Sequence, residues 1–214
     1  MEKTENFRFT ALLFCAFLSM VYAWQVWFGL EPGFQASVSP WWKFFTSFLG
    51  HSGPEHLFNN LFFLGLFGSM YELMTSEKTF ISTFVLSALV GNLTAFIFFP
   101  DSVIIGASGG AVGVLAALAV YRPNEIGLVF GIPAPMWTVL LGYIALNLVG
   151  LGAENTVAYE AHLFGMFGGA AIGFYLRDQE EEELDRGHEE REEFDEENWR
   201  RRIRDWEEKY MINP

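Results

Sequence analysis

The sequence predicts an all-α polytopic membrane protein: a bundle of six transmembrane helices followed by an acidic C-terminal tail. Two observations carry this prediction. Hydrophobic residues fill 51% of the 214 positions, Phe alone supplying 23, and between Phe9 and Leu176 the long apolar runs are broken only by short polar stretches. From Arg177 onward charge dominates, and residues 178–214 hold 16 acidic and 7 basic residues, −9 of the chain's net −13. Length alone would suggest one or two soluble domains, but a charge distribution this uneven excludes that. The expected division is 1–177, embedded in the bilayer, and 178–214, a cytoplasmic tail.

About 20 apolar residues are needed to cross roughly 30 Å of hydrocarbon. Six runs meet that need, at about 9–29, 55–74, 79–99, 103–121, 135–152 and 158–176. The first exceeds the apolar stretch of a secretory signal, and Glu2 and Glu5 replace the basic flank a signal requires; it is expected to be a retained span. With six spans the termini share a side. Lys3, Arg8, Lys78, Arg122 and Arg177 fall on that side and only Lys43 on the other, so both termini are expected in the cytoplasm, with the plasma membrane as the expected location.

The 30–54 loop then faces outward. Its Pro40, Trp41 and Trp42 suit either an interfacial aromatic belt or a structured element bracing the core. The 122–134 segment, with Pro123, Gly131 and Pro133, reads as a cytoplasmic connector. No internal repeat divides the spans into two halves, which argues against an inverted-repeat transporter. In the tail, 180–197 is expected to be disordered or an isolated charged helix. Trp199, Ile203, Trp206 and Tyr210 recur on one helical face beside Arg200, Arg201, Arg202 and Arg204. That end suits a short amphipathic helix on the inner leaflet or a partner, or a solvated tail.

The lone cysteine, Cys15, allows no intramolecular disulfide, and the four histidines show no metal-ligand spacing. No metal and no cofactor are expected, and no nucleic-acid partner. The chemistry rests on a few polar groups within the apolar spans, where such groups are costly and usually functional. Spans two, four and six all start on the outer side. His56 and Asn60 begin the second, Ser108 lies about one turn into the fourth, and His162 about one turn into the sixth. All four therefore share one depth.

A serine hydroxyl becomes a useful nucleophile when a base accepts its proton, and a neutral imidazole at the same depth is such a base. Serine among glycines is in itself ordinary helix packing; the shared depth makes the pair a candidate dyad. Small residues predict that the two helices meet. His162, Gly165, Gly169 and Gly173 lie on one face of the sixth span, and Gly106, Gly109, Gly110 and Gly113 crowd the fourth. His56 and Asn60, four apart, share a helical face and can donate hydrogen bonds to an oxyanion. Their alternative role is to tie helices together. No Asp or Glu has an obvious claim to orient His162, so the reading is a dyad and not a triad.

Three motifs in order along the chain, His56-Leu57-Phe58-Asn59-Asn60, Gly106-Ala107-Ser108-Gly109 and Ala161-His162-Leu163-Phe164-Gly165, resemble those of the rhomboid intramembrane serine proteases over about residues 40–176. The resemblance implies a six-helix rhomboid-like core with a water-filled cavity open to the outside. Ser108 is then the nucleophile and His162 the general base. His56 and Asn60 line the oxyanion hole, with Gly106 bringing the preceding loop into the site. It also implies a partly embedded first external loop, and a lateral gate formed by the fifth span and the loop at about 151–160. Many members carry an aromatic ring four residues after the serine, stacked on the imidazole; here that position is Val112, so His162 must be held by other packing.

The expected function is intramembrane endoproteolysis of transmembrane protein substrates within the lipid bilayer. The alternative is a non-proteolytic rhomboid-like protein that binds membrane-protein clients. The sequence leaves the oligomeric state open.

Overall fold

The computed structural model describes residues 9–129, 131–151 and 159–211. Helix α1, Thr10–Phe28, begins against a carboxylate: Glu72, only 5% exposed, accepts the N–H groups of Thr10 and Ala11 at 2.9 Å each. Unpaired amides and a positive dipole end make a helix N-terminus the place where a buried acid is best stabilised. The helix stops at Gly29, in the left-handed region, with Leu30 N–H returning to Gln25 O at 2.9 Å.

The 30–54 loop is folded. A short helix α2, Lys43–Thr46, runs into a 3-10 turn at Ser47–Leu49. Helix α3, Pro54–Phe63, starts on a proline, whose missing N–H costs nothing there. It passes through a π-helical turn, Leu64–Gly68, into α4, Ser69–Met74. Ser76 caps α5, Glu77–Phe98, by accepting Thr79 N–H at 3.1 Å. Then come α6, Ser108–Tyr121, an antiparallel hairpin of β1, Ile126–Val129, and β2, Ile132–Pro135, helix α7, Met136–Gly150, and a long α8, Tyr159–Tyr210.

Helices α1 and α5 are long and apolar enough to cross a membrane, whereas α6 and α7 are shorter apolar helices. The 14 residues of α6 rise about 21 Å at 1.5 Å per residue. The span expected from 103 begins as a helix only at Ser108. The residues before it stay out of the helix, where Ile104 pairs with Phe34 of the 30–54 loop through bonds of 2.8 Å in both directions. Phe34, Ala95 and Ile104 form a small core there with Phe44. Asn92 of α5 adds a brace, donating to Phe44 O at 2.6 Å and Ser47 Oγ at 3.0 Å. The 122–134 connector contains the hairpin, turning through Gly131 at φ 80°.

The described residues fall into two units, divided between Phe174 and Tyr175. In the first, α6 is the centre: every residue from Gly110 to Ala119 is buried. By contrast α1 buries only Ala11 and Leu18, and Leu13, Trp24, Leu93, Phe96, Leu148 and Val149 lie exposed on α1, α5 and α7. Water would not tolerate so continuous an apolar exterior, but hydrocarbon does.

Close backbone approach sets α6 against α8. A methyl group added at Gly165 would collide with Gly109 O, at Gly169 with Gly113 O, and at Gly173 with Ala117 O. One glycine per turn of α8 thus meets one carbonyl per turn of α6, the contact that small residues permit in membranes.

The second unit is the remainder of α8, helical to Tyr210 and exposed along nearly all its length. It contains i,i+4 ion pairs, Arg177 with Glu181 at 2.8 Å and Arg200 with Glu196 at 2.7 Å, which support a helix locally. The two parts of the tail, distinct in sequence pattern, form one uninterrupted helix. The expected gating loop falls largely on residues 152–158, and the cations Lys3 and Arg8 on residues 1–8, both outside the described residues.

Candidate active site

Ser108 is the first residue of α6. Gly106 delivers it, with φ at 117° and its N–H bonded to Ser47 O at 3.1 Å. Only glycine suits this position. The backbone lies in the left-handed half of conformational space, and a Cβ would stand 2.5 Å from His56 Cε1 and 2.6 Å from its Nε2.

His162, in the first turn of α8, presents Nε2 to Ser108 Oγ at 2.7 Å. Its other nitrogen, Nδ1, lies 2.9 Å from Asn147 Oδ1 of α7. Both ring nitrogens are therefore engaged, by side chains from two other helices.

His56 reaches the same place from α3. Its Nδ1 is 2.9 Å from Ser52 Oγ and receives a long, 3.5 Å bond from Ser52 N–H. With Nδ1 accepting from Ser52, the neutral ring carries its hydrogen on Nε2, the atom beside Gly106. Asn60 is buried and donates from Nδ2 to His56 O at 2.8 Å, keeping a second N–H. Its neighbour Asn59 is exposed.

These groups line one cavity of about 1100 Å³, where Ser108, His162, His56, Asn60, Asn147 and Tyr143 all contribute to the wall. Among the described residues no three His, Cys, Asp or Glu side chains gather in a metal-binding group. Val112 packs with Ala116 and Met166. Among the described residues, the Tyr159 ring meets His162 edge-on, with centroids 6.1 Å apart.

Beside His56, in the 30–54 loop, lies His51, fully buried with its ring 5.2 Å from that of His56. Its backbone is clamped by Gln25, which donates to His51 O at 2.6 Å and accepts His51 N–H at 3.0 Å. No hydrogen bond of ordinary geometry reaches either ring nitrogen. Burial first and the neighbouring His56 second hold its pKa down at about 4, with the Leu49 backbone the smallest, opposing influence. His51 is thus a neutral packing group at neutral pH.

Asn147 is not among the site residues expected from the sequence, where only an acid is considered as the partner that orients His162. The available signal was chemical: Asn147 is the one carboxamide in the apolar run 135–152, and an amide oxygen accepts a hydrogen bond as a carboxylate does.

The sequence matches the family described as Rhomboid domain over residues 38–179. The chain belongs to the rhomboid family. Among curated relatives, the Bacillus subtilis (strain 168) protein named "Putative rhomboid protease YdcA" is 28% identical over 173 residues, covering 77% of this chain and 82% of that protein. The Saccharomyces cerevisiae protein "Rhomboid protein 1, mitochondrial" is 29% identical over 140 residues, 61% of this chain and 40% of its own length. The Toxoplasma gondii "Rhomboid-like protease 3" is 25% identical over 148 residues, 66% of this chain and 54% of its own. The chain thus spans most of the bacterial relative and about half or less of the other two. Rhomboids are membrane-embedded, multi-pass proteins, and the family is one of intramembrane proteases acting on transmembrane substrates.

Proposed function

We propose that this rhomboid is an active intramembrane serine endopeptidase that cuts transmembrane segments of other membrane proteins with a Ser108–His162 dyad. The carrying observation is the 2.7 Å hydrogen bond between Ser108 Oγ and His162 Nε2, made in the wall of a cavity of about 1100 Å³. The six apolar runs are its spans, with both termini in the cytoplasm, the plasma membrane its location and residues 178–214 a cytoplasmic extension.

In the first step Ser108 Oγ attacks the scissile carbonyl carbon while its proton passes to His162 Nε2. The electron pair of the carbonyl moves onto oxygen. His56 Nε2–H and the spare N–H of Asn60 are the donors offered to that oxyanion, fixed before the charge develops. The C–N bond then breaks, and the imidazolium returns its proton to the departing amine. Water, deprotonated by His162 in its turn, attacks the acyl-enzyme, releases the new carboxyl terminus and restores the serine. A transmembrane helix hides its carbonyls in its own hydrogen bonds, so substrates should carry small or helix-breaking residues near the outer interface.

Fluorophosphonate labelling of the purified protein, read by mass spectrometry, tests the dyad. Modification of Ser108 that disappears in His162→Ala is expected. A folded wild type whose Ser108 stays unmodified would sink the proteolytic reading and leave client binding in its place.

A further inference from the structure

Asn147 of α7 is 5% exposed, and both ends of its amide are committed. Nδ2 donates to Tyr143 O at 2.7 Å, and Oδ1 faces His162 Nδ1 at 2.9 Å. A backbone carbonyl can only accept, so the nitrogen of the amide must be the end at Tyr143 and the oxygen the end at His162; the hydrogen-bond network makes this assignment. The amide oxygen can only accept in turn, so His162 Nδ1 carries the hydrogen. A neutral imidazole has one N–H, which leaves the Nε2 lone pair toward Ser108 Oγ. A single carbonyl, Tyr143 O, therefore sets the direction of every hydrogen bond along the series Ser108, His162, Asn147.

Packing keeps the two helices in register for this contact. Gly150 lies one turn beyond Asn147, and a Cβ there would run into the Tyr159 ring. The end of α7 thus presses on the start of α8, one turn before His162. From α6 no ring supports the imidazole, because position 112 is valine and packs with Met166.

We propose that Asn147 is a positioning residue for His162. It selects the tautomer and ring orientation in which Nε2 can take the Ser108 proton, and it stays bonded to Nδ1–H when the ring becomes an imidazolium. The inference rests on the proteolytic reading of the same site. Without Asn147 the ring is free to carry its hydrogen on Nε2, a form that cannot accept from serine.

The test compares Asn147→Leu, similar in size but with no acceptor, and Asn147→Asp, which restores an acceptor oxygen, in full-length protein. Asn147→Leu should lower kcat on a single-span membrane substrate by about 10- to 100-fold while KM changes by less than about threefold. Labelling of Ser108 should slow in parallel, and Asn147→Asp should recover most of the loss. Independently of turnover, ¹⁵N-histidine NMR, with His162→Ala to assign the signal, should find wild-type His162 protonated at Nδ1 and Asn147→Leu shifted toward the other tautomer. A wild-type ring protonated at Nε2, or an Asn147→Leu enzyme with wild-type kcat, overturns the inference. So does an Asn147→Asp variant as slow as Asn147→Leu when both melt at the wild-type temperature. If the wild type neither cuts nor labels, the proteolytic reading has failed, and the tautomer still reports on Asn147 separately.

Discussion

The two stretches of α8, up to Phe174 and from Tyr175 onward, are the same secondary structure made for different reasons. In the first, Gly165, Gly169 and Gly173 lie against backbone carbonyls of α6. Each glycine costs about 1 kcal/mol of helix propensity relative to alanine, a cost offset by contacts no larger residue would permit. The second stretch buries nothing comparable and holds its helix by local pairs of opposite charge. Tertiary packing in one case and sequence-local electrostatics in the other give the same helix, but only the first fixes a side chain relative to the rest of the fold. That side chain is His162.

Substitutions on either side of Phe174 should therefore differ greatly in effect. The largest effect is expected for His162→Ala, which should lower cleavage by about 10³-fold or more with little change in melting temperature. Next, Gly169→Leu should remove about 3 kcal/mol or more of stability by overpacking, seen as a lower detergent unfolding midpoint and lost labelling of Ser108. If Gly169→Leu is as stable as the wild type, the close α6–α8 approach is wrong.

A smaller effect belongs to pH, and outside α8. His51 titrates at about 4 in the folded protein against an ordinary value of 6.5. Because the folded pKa is the lower, the unfolded chain binds the extra proton. Stability is fully present above pH 6.5 and lost as pH falls toward 4, to the extent of about 2 kcal/mol once solvent screening is allowed for. Melting curves of the Ser108→Ala protein at pH 7 and pH 5 should show the loss, and His51→Leu should reduce it. Smallest of all, Glu196→Ala in the second stretch should change stability by less than about 0.5 kcal/mol, and cleavage should stay within about twofold, as expected for exposed sites. A large effect there would mean that the tail does more than hold its own helix.

Much of the site was legible because its information is local. The four-residue interval from His56 to Asn60, and the glycines following His162 on one face, are periodicities a single helix imposes. The features that escaped depend on partners far apart in the chain. Ser108 opens α6 instead of lying within a span because Phe34 pairs with Ile104, and nothing near either residue announces that bond. The Glu72 carboxylate that caps α1 is likewise distant in sequence from Thr10. Asn147 was visible as a polar residue in an apolar run, but its meaning depends on how closely α7 approaches α8. In the tail, a charged composition compatible with either disorder or helix gave no way to foresee one unbroken helix.

The most direct test of the account is cleavage of a single-span substrate by the purified protein in proteoliposomes, beside Ser108→Ala and His162→Ala. The account predicts a discrete cut by the wild type and none by either variant, with all three folded. A folded wild type that leaves every such substrate intact, or a Ser108→Ala protein that still cuts, would contradict it.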